Sequence, residues 1–250
     1  MMKRCLSVLV MFLFVAASNA FAYRPFATED AGVAGEDVAQ VEVSLDRLEW
    51  KNGDDDFMFM VVPIYGVTER LEVSAELPYL WHEPDTGDSE SGVGDMNLVA
   101  KYLLSGEDGT HPALAAKVVI KTASGDYKKG LGTGDEDLSL VLAATKTVEK
   151  WRLHGQLGYT FVGDDKDSNL RDIILYGVAA DYEVQKDLYL AIEVAGNKHS
   201  DRTENTDPLN LLIGVIFNAS DKVAVDVSFK EGLNNESPDW GFGVGASITF

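Results

Sequence analysis

Trp240-Gly-Phe-Gly-Val-Gly-Ala-Ser-Ile-Thr-Phe250 is the stretch on which the reading of this chain turns. Trp240, Phe242, Val244, Ala246, Ile248 and Phe250 are apolar, and the residues between them are small or polar. In an extended chain successive side chains point to opposite faces, so this stretch has one oily face and one narrow face. The same rhythm runs backwards through the sequence. Val223, Val225, Val227 and Phe229 alternate with Ala224, Asp226, Ser228 and Lys230, and Leu71, Val73, Ala75, Leu77 and Tyr79 alternate with Glu72, Ser74, Glu76 and Pro78. Almost nothing between such segments has helical spacing.

About twelve segments follow this pattern: 38–50, 56–66, 71–80, 94–104, 113–123, 136–147, 151–162, 172–184, 188–196, 208–217, 223–231 and 239–250. Each is roughly 9 to 13 residues long, enough for a tilted strand to cross a bilayer. The connections sort by parity. Those after even-numbered segments are mostly tight, as at Val67–Arg70, Val148–Lys150, Gln185–Asp187 and Asn218–Lys222. Most of those after odd-numbered segments are long, charged and rich in turn formers, as at Trp81–Val93, Ser124–Asp135, Gly163–Arg171 and Asn197–Asp207. Short turns on one side and long loops on the other belong to transmembrane barrels; a soluble sandwich has no reason to sort its loops this way.

Aromatic residues fall into two groups. Trp50, Tyr79, Trp81, Phe161, Trp240 and Phe242 lie at the long-loop ends, and Tyr65, Tyr102, Trp151, Tyr182, Phe217 and Phe250 at the short-turn ends. Two such belts match the interfacial girdles of a barrel. The predicted fold is all-β: a transmembrane, antiparallel, up-and-down β-barrel.

Composition removes several function classes. The chain has 250 residues, 46% of them hydrophobic, which suits one domain rather than disorder. Its formal charge of -20 opposes nucleic-acid binding, and its single cysteine rules out a disulfide framework or a cysteine-clustered metal site. Lys3 and Arg4, the apolar run Leu6–Ala17 and the small-residue site Ala20-Phe21-Ala22 predict a signal peptide over residues 1–22, with a barrel domain over 23–250. Removing those two cations takes the charge from -20 to -22. No stretch is long and apolar enough for a membrane-spanning helix.

Four stretches also carry a family likeness: "RPFATEDAG" (Arg24–Gly32), "RLEVSAELPYL" (Arg70–Leu80), "GVGDMNLVAKYLL" (Gly92–Leu104) and "GTGDEDLSL" (Gly132–Leu140). They resemble the outer-membrane transporters grouped as "MetA-pathway of phenol degradation". The resemblance implies passage of hydrophobic or aromatic compounds across the outer membrane, and brings no catalytic residues with it. The terminal stretch ending in Phe250 is similar to the insertion signal of outer-membrane proteins, implying the barrel-assembly machinery as a partner.

With the oily face toward lipid and lipopolysaccharide, the opposite face lines a lumen. Glu42, Asp46, Glu72, Glu76 and Glu193 are its acidic candidates; Lys101, Lys117, Lys121, Arg152 and His154 are its basic ones. These charges form either an ion-pair network that stiffens the wall or a solute-selective ring. The second segment breaks the alternation, because Met58, Met60, Val62 and Ile64 are apolar opposite an equally apolar row. One apolar row must point inward, either as a track for an oily solute or as packing against a plug. The irregular stretch 23–37 is the candidate plug, placed at the periplasmic end.

The outer loops are rich in carboxylates, including Asp54–Asp56 and Asp164, Asp165 and Asp167, but lack the spaced ligand set of a calcium loop, so no metal or other cofactor is predicted. His154, Asp226 and Ser228 lie in strands without a nucleophile motif, and His82, His111 and His199 in connections, so the chain is not expected to be an enzyme. The expected function is a passive outer-membrane channel or transporter for a small hydrophobic or aromatic solute. The alternatives are a non-transporting structural or surface-exposed barrel with a closed lumen and a soluble periplasmic β-protein.

Overall fold

The structure, a computed structural model, describes residues 24–163 and 169–250. The expected signal peptide, Tyr23 and the acidic run Asp164–Asp167 lie outside the described residues. Thirteen strands form one antiparallel sheet: β1 (Ala39–Glu49), β2 (Asp55–Thr68), β3 (Leu71–Glu83), β4 (Glu90–Val93), β5 (Asn97–Ser105), β6 (Ala113–Lys121), β7 (Asp137–Val148), β8 (Trp151–Phe161), β9 (Ile173–Gln185), β10 (Leu188–Asn197), β11 (Leu209–Ser220), β12 (Val223–Gly232) and β13 (Trp240–Thr249). The order β2-β1-β13-β12-β11-β10-β9-β8-β7-β6-β5-β3 closes on itself through β2–β3 pairing. β1 and β13 are held in register from Gln40↔Thr249 to Glu49↔Trp240. The ring therefore has twelve strands, and β4 is an extra short strand on the outer end of β3.

Most ends shift from the expected spans by one to three residues, and two of the shifts, in β3 and β5, have related reasons. β3 runs on to Glu83, carrying Trp81 and His82 into the sheet; His82 was expected in a connection. β4 covers this extension from Tyr79↔Val93 to His82↔Glu90. β5 starts at Asn97 rather than 94, because Gly94 donates to the Pro78 carbonyl and Asp95 accepts the N–H groups of Gly125 and Thr133. Those residues leave the wall to hold a loop.

Alternation sorts the side chains as the pattern demands. Leu142, Leu157, Val178 and Leu190 stand on the outer surface; Leu157 is 60% and Val178 64% exposed, which only lipid can make favourable. The polar or small residues between them are buried inside, among them Glu42, Glu72, Lys101, Asp181 and Glu193. Aromatic residues mark both outer rims. Tyr79 and Trp81 contact each other at 4.6 Å, Tyr159 and Phe161 at 4.9 Å, and Trp151 and Tyr182 at 4.7 Å on the opposite rim.

The turns on that opposite rim are short. Glu69–Arg70, Glu149–Lys150, Lys186–Asp187 and Asp221–Lys222 each join adjacent strands with two residues. Glu149 (φ 54°) and Asp187 (φ 66°) take the left-handed conformation that reverses the chain in so little space. The longer turn 106–112 is organised by Asp108. Its carboxylate accepts the N–H groups of His111 and Thr110, which hold it below the ordinary aspartate range.

Charging the lipid face should cost far more than charging the rim. Leu157→Arg, near the middle of β8, is expected to lose about 2–4 kcal/mol of folding free energy in lipid vesicles, read by denaturant titration.

Candidate functional site: the lumen and its inner segment

Residues 24–38 do not stay at the short-turn rim but climb into the barrel. The segment crosses the rim at Gly66, where Asp37 donates to the Gly66 carbonyl. A side chain at Gly66 would overlap the Gly35 carbonyl oxygen, so only glycine lets the chain pass. Gly177 plays the same part higher up, where a Cβ would collide with the Thr28 hydroxyl. An irregular backbone at membrane depth survives only if protein satisfies its polar groups. Here the inward side chains do so. Ala34 N–H donates to Glu72 (2.7 Å), Ala31 N–H to the Thr145 hydroxyl (2.9 Å), Glu29 N–H to Gln156 (2.8 Å), and the N–H groups of Ala27 and Thr28 to Glu193.

Side chains of the segment complete the charge balance. Glu29 bridges Lys101 (2.8 Å) and Lys117 (2.6 Å), and Asp30 lies 3.2 Å from Lys101, which is 1% exposed. Arg24 pairs with Asp46 at 3.1 Å and lies 3.7 Å from Asp226.

The predicted lumen residues fall into several groups rather than one site. Glu76 completes the central cluster, 3.6 Å from Lys117 and accepting from Asn97. Glu42 accepts from Gln40 and Ser247, and Asp46 accepts from Ser44 as well as Arg24. Lys121 stands apart toward the outer rim, bonded to Asp137 (2.7 Å) and Thr133. Arg152 and His154 share Asp181 toward the short-turn rim, at 2.8 and 3.0 Å.

The Thr145 hydroxyl accepts from the Ala31 N–H and lies 3.0 Å from His154 Nδ1, and His154 Nε2 lies 3.0 Å from the Asp181 carboxylate. Both ring nitrogens are thus engaged by wall residues, and the Thr145 hydroxyl ties this chain of contacts to the segment. Ser228 lines another part of the lumen, beside Gly243. Among the described residues no group of three or more His, Cys, Asp or Glu side chains could hold a metal ion.

Cavities remain around the segment, three of them well formed. One, of about 600 Å³, opens toward the long loops; Leu48, Met58, Leu80, Leu131 and Leu212 line it, with Phe26 of the segment. A second, about 230 Å³, lies below it against Met60, Val62, Ile64, Glu72 and Lys101. Arg24, Phe26 and Ala27 border both. A third, about 320 Å³, lies across the segment against Asn97, Gln156 and Asn210. Met58, Met60, Val62 and Ile64 therefore face inward as one row, the first onto the outer cavity and the others onto the second.

Sequence reasoning did not place Arg24, Glu29 and Asp30 against the wall charges. The signal was present in the mixed charges of "RPFATEDAG", but nothing in strand periodicity ties an irregular segment to particular strands. It also missed Leu131, a loop residue only 3% exposed that turns into the outer cavity.

The family described as "Putative MetA-pathway of phenol degradation" is matched over residues 22–250. The fold is similar to the crystal structure of the COG4313 outer membrane channel from Pseudomonas putida F1, with TM-score 0.69 and 18% identity over 90% of this chain and 99% of that one. It is also similar to the KdgM porin in complex with disordered oligogalacturonate (TM-score 0.59, 9% identity, 84% and 99% covered). The beta domain of the Bordetella autotransporter BrkA is a further likeness (TM-score 0.52, 9% identity, 85% and 99% covered). Comparison with curated proteins finds no match.

Removing the Glu29 charge leaves two buried ammonium groups without their shared partner. Glu29→Gln is expected to weaken docking of the segment by about 3 kcal/mol. Hydrogen exchange would then accelerate roughly a hundredfold at the Thr28, Glu29 and Ala31 amides while the wall strands stay protected.

Proposed function

The chain belongs to the family described as "Putative MetA-pathway of phenol degradation", and from that membership we propose that it is a passive channel for small hydrophobic or aromatic solutes. It is a barrel of the bacterial outer membrane, in a family of channel and transporter character. One observation supports the solute class beside that membership: the apolar row of β2 faces two cavities that share Arg24, Phe26 and Ala27 as lining. A solute would enter the outer cavity over Leu48, Met58 and Leu80, pass Phe26, and continue along Met60, Val62 and Ile64. Methionine side chains adapt to varied apolar shapes, which suits transit better than tight binding. No energy input and no bond chemistry are involved.

In this reading residues 24–34 act as the plug, and its displacement sets the flux. The Glu29 ion pairs with Lys101 and Lys117 also favour a second reading, a structural barrel sealed by its own charges. Phe250, exposed at the end of the closing strand, is assigned as the contact with the barrel-assembly machinery.

Planar-bilayer recordings with vesicle uptake of a neutral aromatic separate the two readings. A channel with a movable plug should give small conductance steps that grow several-fold when residues 24–34 are deleted, with faster aromatic uptake. Unchanged conductance and uptake after the deletion would leave the sealed barrel as the answer. Met60→Glu should slow uptake of the aromatic by about tenfold, since it sets a charge on the apolar path.

A further inference from the structure

The inward cations of the wall are not alike. Lys101, Lys117, Lys121 and Arg152 each face a carboxylate, at 2.6 to 2.8 Å for the closest. Lys230, inward on β12 between Leu212 of β11 and Gly241 of β13, has no carboxylate within 4.0 Å among the described residues and no hydrogen bond. It lines the outer cavity, where the other charged groups are already engaged: Arg24 with Asp46, Arg47 with Asp55 at 2.9 Å, and Asp56 with His82 at 2.7 Å. Gly241 offers no side chain beside it, and a Cβ there would strike Leu48. The cavity is thus a chamber with oily walls and one uncompensated ammonium.

We propose that this chamber is a binding site for a small amphipathic monocarboxylate, whose acid group sits on Lys230 and whose aromatic or aliphatic body lies against Leu48, Met58, Leu80 and Leu131. The assignment rests on the chamber being the outer end of the solute path, and narrows the solute class to molecules with an anionic head. A volume of about 600 Å³ accommodates such a body, since ligand pockets span about 300–1,000 Å³. Apolar surroundings strengthen a charge-assisted hydrogen bond to the ammonium, and the walls give the body its own reason to stay. Carboxylate-rich outer loops oppose any anion at the mouth, but salt screens that field beyond about 8 Å at physiological ionic strength. A simple anion with no body gains nothing from the walls, so head and body are required together.

Calorimetric titration of the purified full-length barrel with phenylacetate, phenylacetamide and acetate tests this. Phenylacetate is ionised at neutral pH, and its amide has the same shape without the charge. The expected result is binding of phenylacetate at least tenfold tighter than the amide, with acetate undetectable. Lys230→Met should abolish the preference, bringing the acid down to the affinity of the amide, and Lys230→Arg should retain it. Equal binding of acid and amide by the unaltered protein overturns the proposal without recourse to any variant, as does a preference that survives Lys230→Met. Bilayer recordings on the same preparation keep the two readings apart. A Lys230-dependent preference without flux upholds the site and defeats the channel, while flux of neutral aromatics without the preference does the reverse.

Discussion

A backbone amide in hydrocarbon has no water to turn to, and every large feature of this protein follows from that constraint. A sheet with open edges would leave rows of N–H and C=O groups in lipid, so β1 must find β13. Closure then divides the side chains into two populations with opposite solvents. The outer one is oily because lipid surrounds it. The inner one is polar or small because it faces a narrow space that holds backbone and charge.

The inner segment obeys the same rule by other means. It has no ladder partner, so its amides turn to Glu72, Thr145, Gln156 and Glu193, four side chains from four strands. Two wall lysines close together would repel each other, and Glu29 between them turns that repulsion into attraction. The polar lumen is thus less an aqueous pore than a receptor for a stretch of its own chain.

The wall was legible in the sequence because a strand with one face in lipid writes its geometry as a period of two. Leu157 and His154, or Val227 and Asp226, declare their faces by parity alone. Loop lengths supplied the orientation, and the even apolar row of β2 declared an unusual inner surface. Legibility ended where periodicity did. Leu131 sits in a loop, and its burial depends on Asp95 drawing Gly125 and Thr133 inward, a contact between residues about 30 to 38 apart. His82 was misplaced because the extra strand β4, only four residues long, is too short to show a period. The segment's route through the lumen was illegible for a similar reason: charges on an irregular stretch say that partners exist, not which strands provide them.

Separation along the chain carries a further consequence. Thr28 bonds to Glu193 across 165 positions, and Glu29 to Gln156 across 127. None of these acceptors faces an enclosed space until the ring is complete. The seat of the stretch that precedes the strands is therefore assembled from strands spread along the whole chain, so its docking and the closure of the sheet are one coupled equilibrium.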